Sequence, residues 1–74
     1  MIEGYVEYPL RDRRYRHYKG GLYTVLFMST HSETGEVLVN YQSYLFGSYH
    51  SRPLDSWNET VSTKAGRMKR FKIC

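Results

Sequence analysis

One cysteine, Cys74, stands in the 74-residue sequence, so no disulfide can form within it. A lone thiol fits a reducing compartment, and Cys74 is expected to be exposed and without a role. No apolar run approaches the ~20 residues of a membrane span. The opening residues Met1-Ile2-Glu3-Gly4-Tyr5 lack the basic region and apolar stretch of a secretory leader. The expectation is a cytoplasmic protein with no membrane partner. Aliphatic side chains are also scarce: six Leu, five Val and two Ile. A chain of this size makes one domain and buries only ~60% of the surface its unfolded form exposes.

That scarcity hands the core to aromatic residues, of which there are eight Tyr, three Phe and one Trp. Each large ring buries roughly 150–250 Å². Eight phenols exceed what one small core needs, because each buried hydroxyl must find a partner. The surplus is expected in a pocket, on a surface or across an oligomer interface, or lying flat as partial cover for the core.

Charge is unevenly placed along the chain, whose net value is +4. Residues 11–19 carry Arg11, Arg13, Arg14, Arg16 and Lys19 against Asp12. Residues 61–74 carry Lys64, Arg67, Lys69, Arg70 and Lys72 with no acid. Between them, residues 20–60 hold Arg52 against Glu33, Glu36, Asp55 and Glu59. Two basic clusters flank an acidic middle. If they meet in the fold, they form a patch able to hold phosphates; if not, they serve solubility.

Residues 22–30 read as a strand with Tyr23, Val25 and Phe27 on one side and Leu22, Leu26 and Met28 on the other; both sides are apolar, so the strand is expected to be buried on both faces or to sit where a sheet curls on itself. Ser32-Glu33-Thr34-Gly35 is a turn, and residues 36–44 alternate again with Val37, Val39 and Tyr41 together. These runs predict a β-hairpin. Residues 49–52 form a short strand stopped by Pro53, and residues 53–57 form one helical turn that Pro53 starts. A strand at 59–63, a turn at 64–66 and a closing strand at 68–73, with Phe71 and Ile73 on one face, complete the pattern. Residues 1–14 show no period, and Pro9 excludes a regular central strand there. They are expected to be an arm or edge strand before a domain at 15–74. The chain is predicted to be mainly β, a small SH3-like barrel of about five strands with one helical turn. Closing the sheet would remove its edges.

Few residues point to catalysis or metal. His17, His31 and His50 have no zinc-ligand spacing, and no metal or other cofactor is expected. His31-Ser32-Glu33 contains catalytic residue types, but strand neighbours point to opposite faces, and no nucleophile elbow surrounds Ser32. His31 is expected to cap the hairpin turn, and the protein is not expected to be an enzyme.

Phosphate binding is better supported. Arg16 and Lys19 bracket His17 and Tyr18, and Gly20-Gly21 allows a ligand close to the backbone. Tyr18, Tyr49 or Trp57 could stack on a base, while Lys69, Arg70 and Lys72 supply further charge. The competing view packs Tyr15 and Tyr18 in the core and leaves Arg16 and His17 in solvent or paired with Glu33 and Glu59. Arg52 is expected to pair with Asp55 or Glu59, or else to reach into a pocket.

The run Tyr15-Arg16-His17-Tyr18-Lys19-Gly20, then Tyr23, Val25 and Leu26, His31-Ser32-Glu33-Thr34, Val39-x-Tyr41, Arg52-Pro53-Leu54, Glu59-Thr60-Val61 and Arg70-Phe71 resembles the bacterial and phage family DUF1653. The resemblance spans about Tyr15 to Phe71. It implies a compact SH3-like β-fold from bacteria or their phages and transfers no activity. The family usually has a Trp just before its Arg-Pro-Leu, where Tyr49 is the expected stand-in, and Trp57 stands where the family tends to have Phe.

The function expected is non-enzymatic binding of a phosphate-bearing ligand, first a nucleic acid, through Arg16, His17, Tyr18, Lys19, His31, Tyr49, Arg52 and Trp57 with the patch Lys69, Arg70 and Lys72. One alternative is an oligomeric phage protein that sequesters a free signalling nucleotide. Another is a protein-interaction module with an aromatic groove.

Overall fold

Residues 22–30 and 37–43 form the long hairpin at the centre of the molecule, which is described by a computed structural model over residues 8–74. Its strands are β2 (Leu22–Thr30) and β3 (Val37–Ser43). The other elements are β1 (Arg14–His17), β4 (Tyr49–Pro53), α1 (Leu54–Trp57), β5 (Thr60–Thr63), β6 (Gly66–Lys69) and β7 (Phe71–Ile73). Five strands form one antiparallel sheet in the order β4-β3-β2-β1-β7, and β5 and β6 form a separate hairpin.

The β2–β3 turn is held by His31, whose Nδ1 accepts from the backbone N–H groups of Glu33 and Thr34 at 3.2 and 3.3 Å. Gly35 takes a φ of 78° there, a value glycine adopts without strain. Asn40 acts as a staple on the outward face. Its Nδ2 donates to the Phe27 carbonyl (3.2 Å) and to Ser29 Oγ (2.9 Å), and its Oδ1 accepts from Ser51 Oγ (2.6 Å).

That staple sits beside an irregularity that the alternation of β2 conceals. The β2–β3 register shifts between Val25 and Phe27, leaving Leu26 as an unpaired extra residue. A bulge reverses the parity of every later side chain. Met28 therefore joins Tyr23 and Val25 against the core, while Phe27 faces outward and is half exposed. The expected grouping of Tyr23, Val25 and Phe27 on one side is corrected accordingly.

Two further differences concern the sheet's limits. β1 lies inside the basic block where no strand was expected, with β2 on one side and β7 on the other. The single closing strand expected at 68–73 is two strands. Arg70 breaks it, its N–H donating to the Glu59 carbonyl and its own carbonyl accepting from Tyr18 N–H, both at 2.9 Å. The segment before β1 follows β2: Asp12 N–H donates to the Val25 carbonyl (2.7 Å) and Val25 N–H to the Arg13 carbonyl (3.0 Å). Pro9 is buried, and Leu10 N–H reaches Tyr15 Oη at 2.9 Å. The remainder of the expected arm, residues 1–7, lies outside the described residues.

Among the described residues no ladder joins β4 to β7, so the expected closed barrel of about five strands is instead an open five-stranded sheet and a hairpin. The sheet is nevertheless strongly curled. β3 and β7 are three strand positions apart, roughly 14 Å in a flat sheet. Yet the rings of Tyr41 and Phe71 stand with centroids 5.6 Å apart. Inside the curl lies a core of Tyr15, Val25, Val39, Tyr41, Leu54, Trp57 and Phe71, four of the seven aromatic. Trp57 on α1 stacks on Phe71 at 3.7 Å, nearly parallel, and meets Tyr15 and Tyr41 edge-on. No helix among the described residues is long and apolar enough to cross a membrane.

Candidate functional sites on the two faces of the sheet

Strand alternation sends Tyr15 and His17 of β1 inward and Arg14 and Arg16 outward. The register then sets Arg16 opposite Lys72 of β7 on one side and Leu22 of β2 on the other. The two basic clusters, far apart in the chain, thus meet on the outward face. Like charges directly opposite across an antiparallel pair repel and destabilise it. Neither Arg16 nor Lys72 has an ion-pair partner among the described residues. Arg16, Tyr18, Lys69 and Lys72 line a shallow hollow of about 190 Å³ at this junction. One row further along the strands, the cross-sheet register runs Arg14, Thr24, Gln42, Tyr49. The Arg14 guanidinium lies 4.1 Å over the ring of Tyr44. Tyr49 is 74% exposed and the outward-turned Phe27 is 48% exposed. The outward face is therefore basic at β1 and β7 and aromatic at β2 and β4, across roughly 19 Å of sheet.

The inward face carries a second grouping beside the core. His17 meets Phe71 edge-on at 4.9 Å and Tyr23 at 6.5 Å. Tyr23 meets His50 at 5.9 Å and Tyr41 at 5.3 Å, and His50 stacks on Tyr41 at 5.4 Å. Arg52 completes the ring, with its Cζ 5.7 Å from the Phe71 centroid. His17 Nδ1 accepts from the Lys19 backbone N–H (3.2 Å), so the neutral ring carries its proton on Nε2. Burial foremost, then the positive charges of Arg52, Arg70 and Lys19, hold the His17 pKa below the ordinary histidine value.

Several expected site residues are placed differently. Arg52 does not pair with Asp55 or Glu59; its Nε and Nη1 donate to the hydroxyls of Tyr41 (3.4 Å) and Ser56 (3.0 Å). Glu59 is taken by Arg70, whose Nη2 reaches its Oε1 at 2.6 Å and whose Nε donates to the Ser56 carbonyl. Arg70 is thus turned away from the outward patch it was expected to share with Lys69 and Lys72. Trp57, expected to stack on a base, is 3% exposed beneath Phe71 and has no free face. Tyr49 faces outward, and its neighbour His50 is the residue against the inward aromatics. His31 stays at its turn, remote from both groupings. Lys19 sits exposed on the β1–β2 turn with its Nζ 5.8 Å from the Tyr18 ring.

The glycine pair also has a structural use. Gly20 takes a φ of 105° in the turn. Gly21 admits the Tyr23 ring, because a Cβ there would lie 2.8 Å from Tyr23 Cε2. Among the described residues, no three His, Cys, Asp or Glu side chains converge as metal ligands would.

Tyr23, Tyr41, His50 and Ser56 on the inward side, and Arg14, Phe27 and Tyr44 on the outward one, were not among the expected ligand-binding residues. For β4 a signal existed: His50 and Arg52 share parity, so one face must hold both.

The family model described as "Protein of unknown function (DUF1653)" matches residues 13–73. Among solved structures, the chain is similar to a crystal structure of a protein belonging to DUF1653 from Bordetella bronchiseptica. The two are 41% identical, with a TM-score of 0.76 over 85% of each chain. No protein of curated function matches the sequence. With both the family model and a structural relative covering most of its length, the chain belongs to the DUF1653 family.

Proposed function

We propose that this protein binds nucleic acid, without catalysing a reaction, on the outward face of its curled sheet. One observation carries the proposal. The register places Arg16 against Lys72, two like charges that cost stability unless an anion lies across them. Lys69 and Tyr18 border the same hollow. Arg14, Tyr44, Tyr49 and Phe27 extend the surface with cationic and aromatic groups, the pairing by which β-surfaces hold single strands: phosphates on Arg and Lys, bases on rings. On this reading the fold is an SH3-like barrel left open between β4 and β7, working in the cytoplasm of a bacterial or phage-infected cell.

The test is fluorescence anisotropy of a labelled single-stranded oligonucleotide across a salt series. Affinity should fall steeply with salt, by a log–log slope of about −0.7 per phosphate contacted. The Arg16→Ala/Lys72→Ala variant should bind more weakly and lose about 1.4 from that slope. Binding that ignores salt, or a slope unchanged in the double variant, would refute the assignment.

A further inference from the structure

Arg52 is the anomaly of the inward face. It is half-buried between the Phe71 ring and the α1 turn, in contact with Tyr41 and Ser56. A guanidinium taken out of water normally has a carboxylate beside it, because an uncompensated charge in a partly desolvated position is costly. The neighbouring Arg70 obeys the rule through Glu59. Arg52 has only two neutral hydroxyls, and its Nη2 has no partner among the described residues. Among the described residues no carboxylate pairs with it: Glu59 is committed to Arg70, and Asp55 is exposed on the helical turn.

The groups around Arg52 are donors of the same kind. His17 presents Nε2–H, since its Nδ1 is engaged by the Lys19 backbone. Tyr41 and Ser56 hold hydroxyls that accept from Arg52 and whose protons remain to be donated. Phe71 and Tyr23 are apolar walls against His17. Donors from β3, β4 and α1 thus meet directly at Arg52, and His17 of β1 packs on the same Phe71 ring as Arg52. A planar carboxylate offers two oxygens in one plane, which suits a single arginine fork. A phosphate group offers oxygens in three dimensions, which suits donors arriving from several elements.

We propose that the inward face is a second, discrete anion site, in which Arg52, His17, Tyr41 and Ser56 hold the phosphate group of a phosphate monoester. Arg52, Tyr41 and Ser56 lie apart from the hollow of Arg16 and Lys72, which His17 alone of the four also borders, and the site does not rest on the nucleic-acid reading of the outward face. The monoester has two sources, a small phosphorylated metabolite or the terminal phosphate of a nucleic-acid strand.

The test is an NMR titration of the full chain with inorganic phosphate, against sodium chloride at matched ionic strength. The readouts are the His17 ring Cε1–H and the Arg52 Nε–H resonances. Phosphate should shift both saturably, leave Arg70 Nε–H little changed, and raise the melting temperature. It should also bring the His17 pKa back up, against the cations Lys19, Arg52 and Arg70, with Tyr18, Tyr23 and Phe71 as the remaining rings facing His17. Arg52→Gln should weaken the effect by about tenfold or more. Arg16→Ala/Lys72→Ala should leave it intact.

Shifts that chloride reproduces, or that vanish in the Arg16/Lys72 variant and persist in Arg52→Gln, would overturn the proposal. Should Arg52→Gln fail to fold, the wild-type contrast between Arg52 and Arg70 Nε–H decides it alone. Competition in the Arg16→Ala/Lys72→Ala background separates the sources. A 5′-phosphorylated oligonucleotide that outcompetes its 5′-hydroxyl twin and free phosphate assigns the group to a strand terminus. Equal displacement by inorganic phosphate assigns it to a small molecule.

Discussion

Adjacent glycines at 20 and 21 should fail for different reasons when replaced, and the difference is measurable. A Cβ on Gly21 would stand 2.8 Å from Tyr23 Cε2, 3.0 Å from its Oη and 3.2 Å from its Cζ. The ring cannot easily retreat, with Tyr41, His50, Phe71 and His17 at centroid distances of 5.3, 5.9, 6.0 and 6.5 Å. Overpacking of this kind costs about 1–3 kcal/mol. Replacing glycine by alanine recovers about 0.4–1 kcal/mol by restricting the unfolded chain. Gly21→Ala should therefore lose about 1 kcal/mol net, a fall of roughly 4–8 °C in Tm for a domain of this size. In a Tyr23→Leu background the obstructing ring tip is gone, and the same substitution should become neutral or stabilising. Gly20→Ala meets nothing within 4 Å but must hold a φ of 105°. Its cost of about 1–2 kcal/mol is backbone strain and should be the same in both backgrounds. Urea unfolding followed by Trp57 fluorescence measures the whole cycle, as Trp57 is the sole tryptophan and lies in the core. Coupling between Gly21→Ala and Tyr23→Leu that lies within about 0.5 kcal/mol of zero would refute the account of the glycine pair.

Three further outcomes are expected. Asn40→Ala removes the staple across the bulge and should cost about 1–2 kcal/mol, with the largest amide shifts at Phe27, Ser29 and Ser51. Phe71→Ala empties the stack beneath Trp57 and should cost about 3–5 kcal/mol, enough to abolish cooperative thermal unfolding as seen by near-ultraviolet circular dichroism. Acid should destabilise the protein through His17, whose folded pKa lies below the unfolded value of 6.5. The unfolded chain takes up its proton first, so this contribution is complete above about pH 6.5, declines on acidification, and levels off once the folded ring also titrates. Urea midpoints from pH 7.5 to pH 5 should show that decline in the wild type and less of it in His17→Gln.

Legibility in the sequence followed locality. The β2–β3 hairpin and the turn after Pro53 depend on neighbours in the chain, and alternation with turn chemistry revealed both. β1 is four residues, three of them Arg or His, and its identity as a strand depends on pairing with β7 from the far end of the chain. The bulge at Leu26 leaves the alternation of β2 unbroken in sequence while reversing it in space, which is why Phe27 and Met28 exchanged faces. The candidate patch is legible in the sequence as charge: Arg16, Lys69 and Lys72 stand out as basic residues. Their meeting is not, because it follows from the β1–β7 register. The pairing of Arg52 was misjudged because two acids stood close to it in sequence, and the curl of the sheet gave the reachable one to Arg70.

The position of β7 has a consequence for how the molecule comes to exist. Phe71 lies at the middle of the aromatic core, and β7 completes the sheet against a strand made near the start of the chain. Contacts of such wide sequence separation form slowly, because a long loop must close before they repay the lost freedom. During synthesis the β2–β3 hairpin emerges early and α1 follows, but the inward face lacks its central ring until residues 71–73 have left the ribosome. Until that moment Tyr23, Tyr41 and Trp57 lack the Phe71 ring they pack on, and the nascent chain is exposed to chaperones, proteases and other chains.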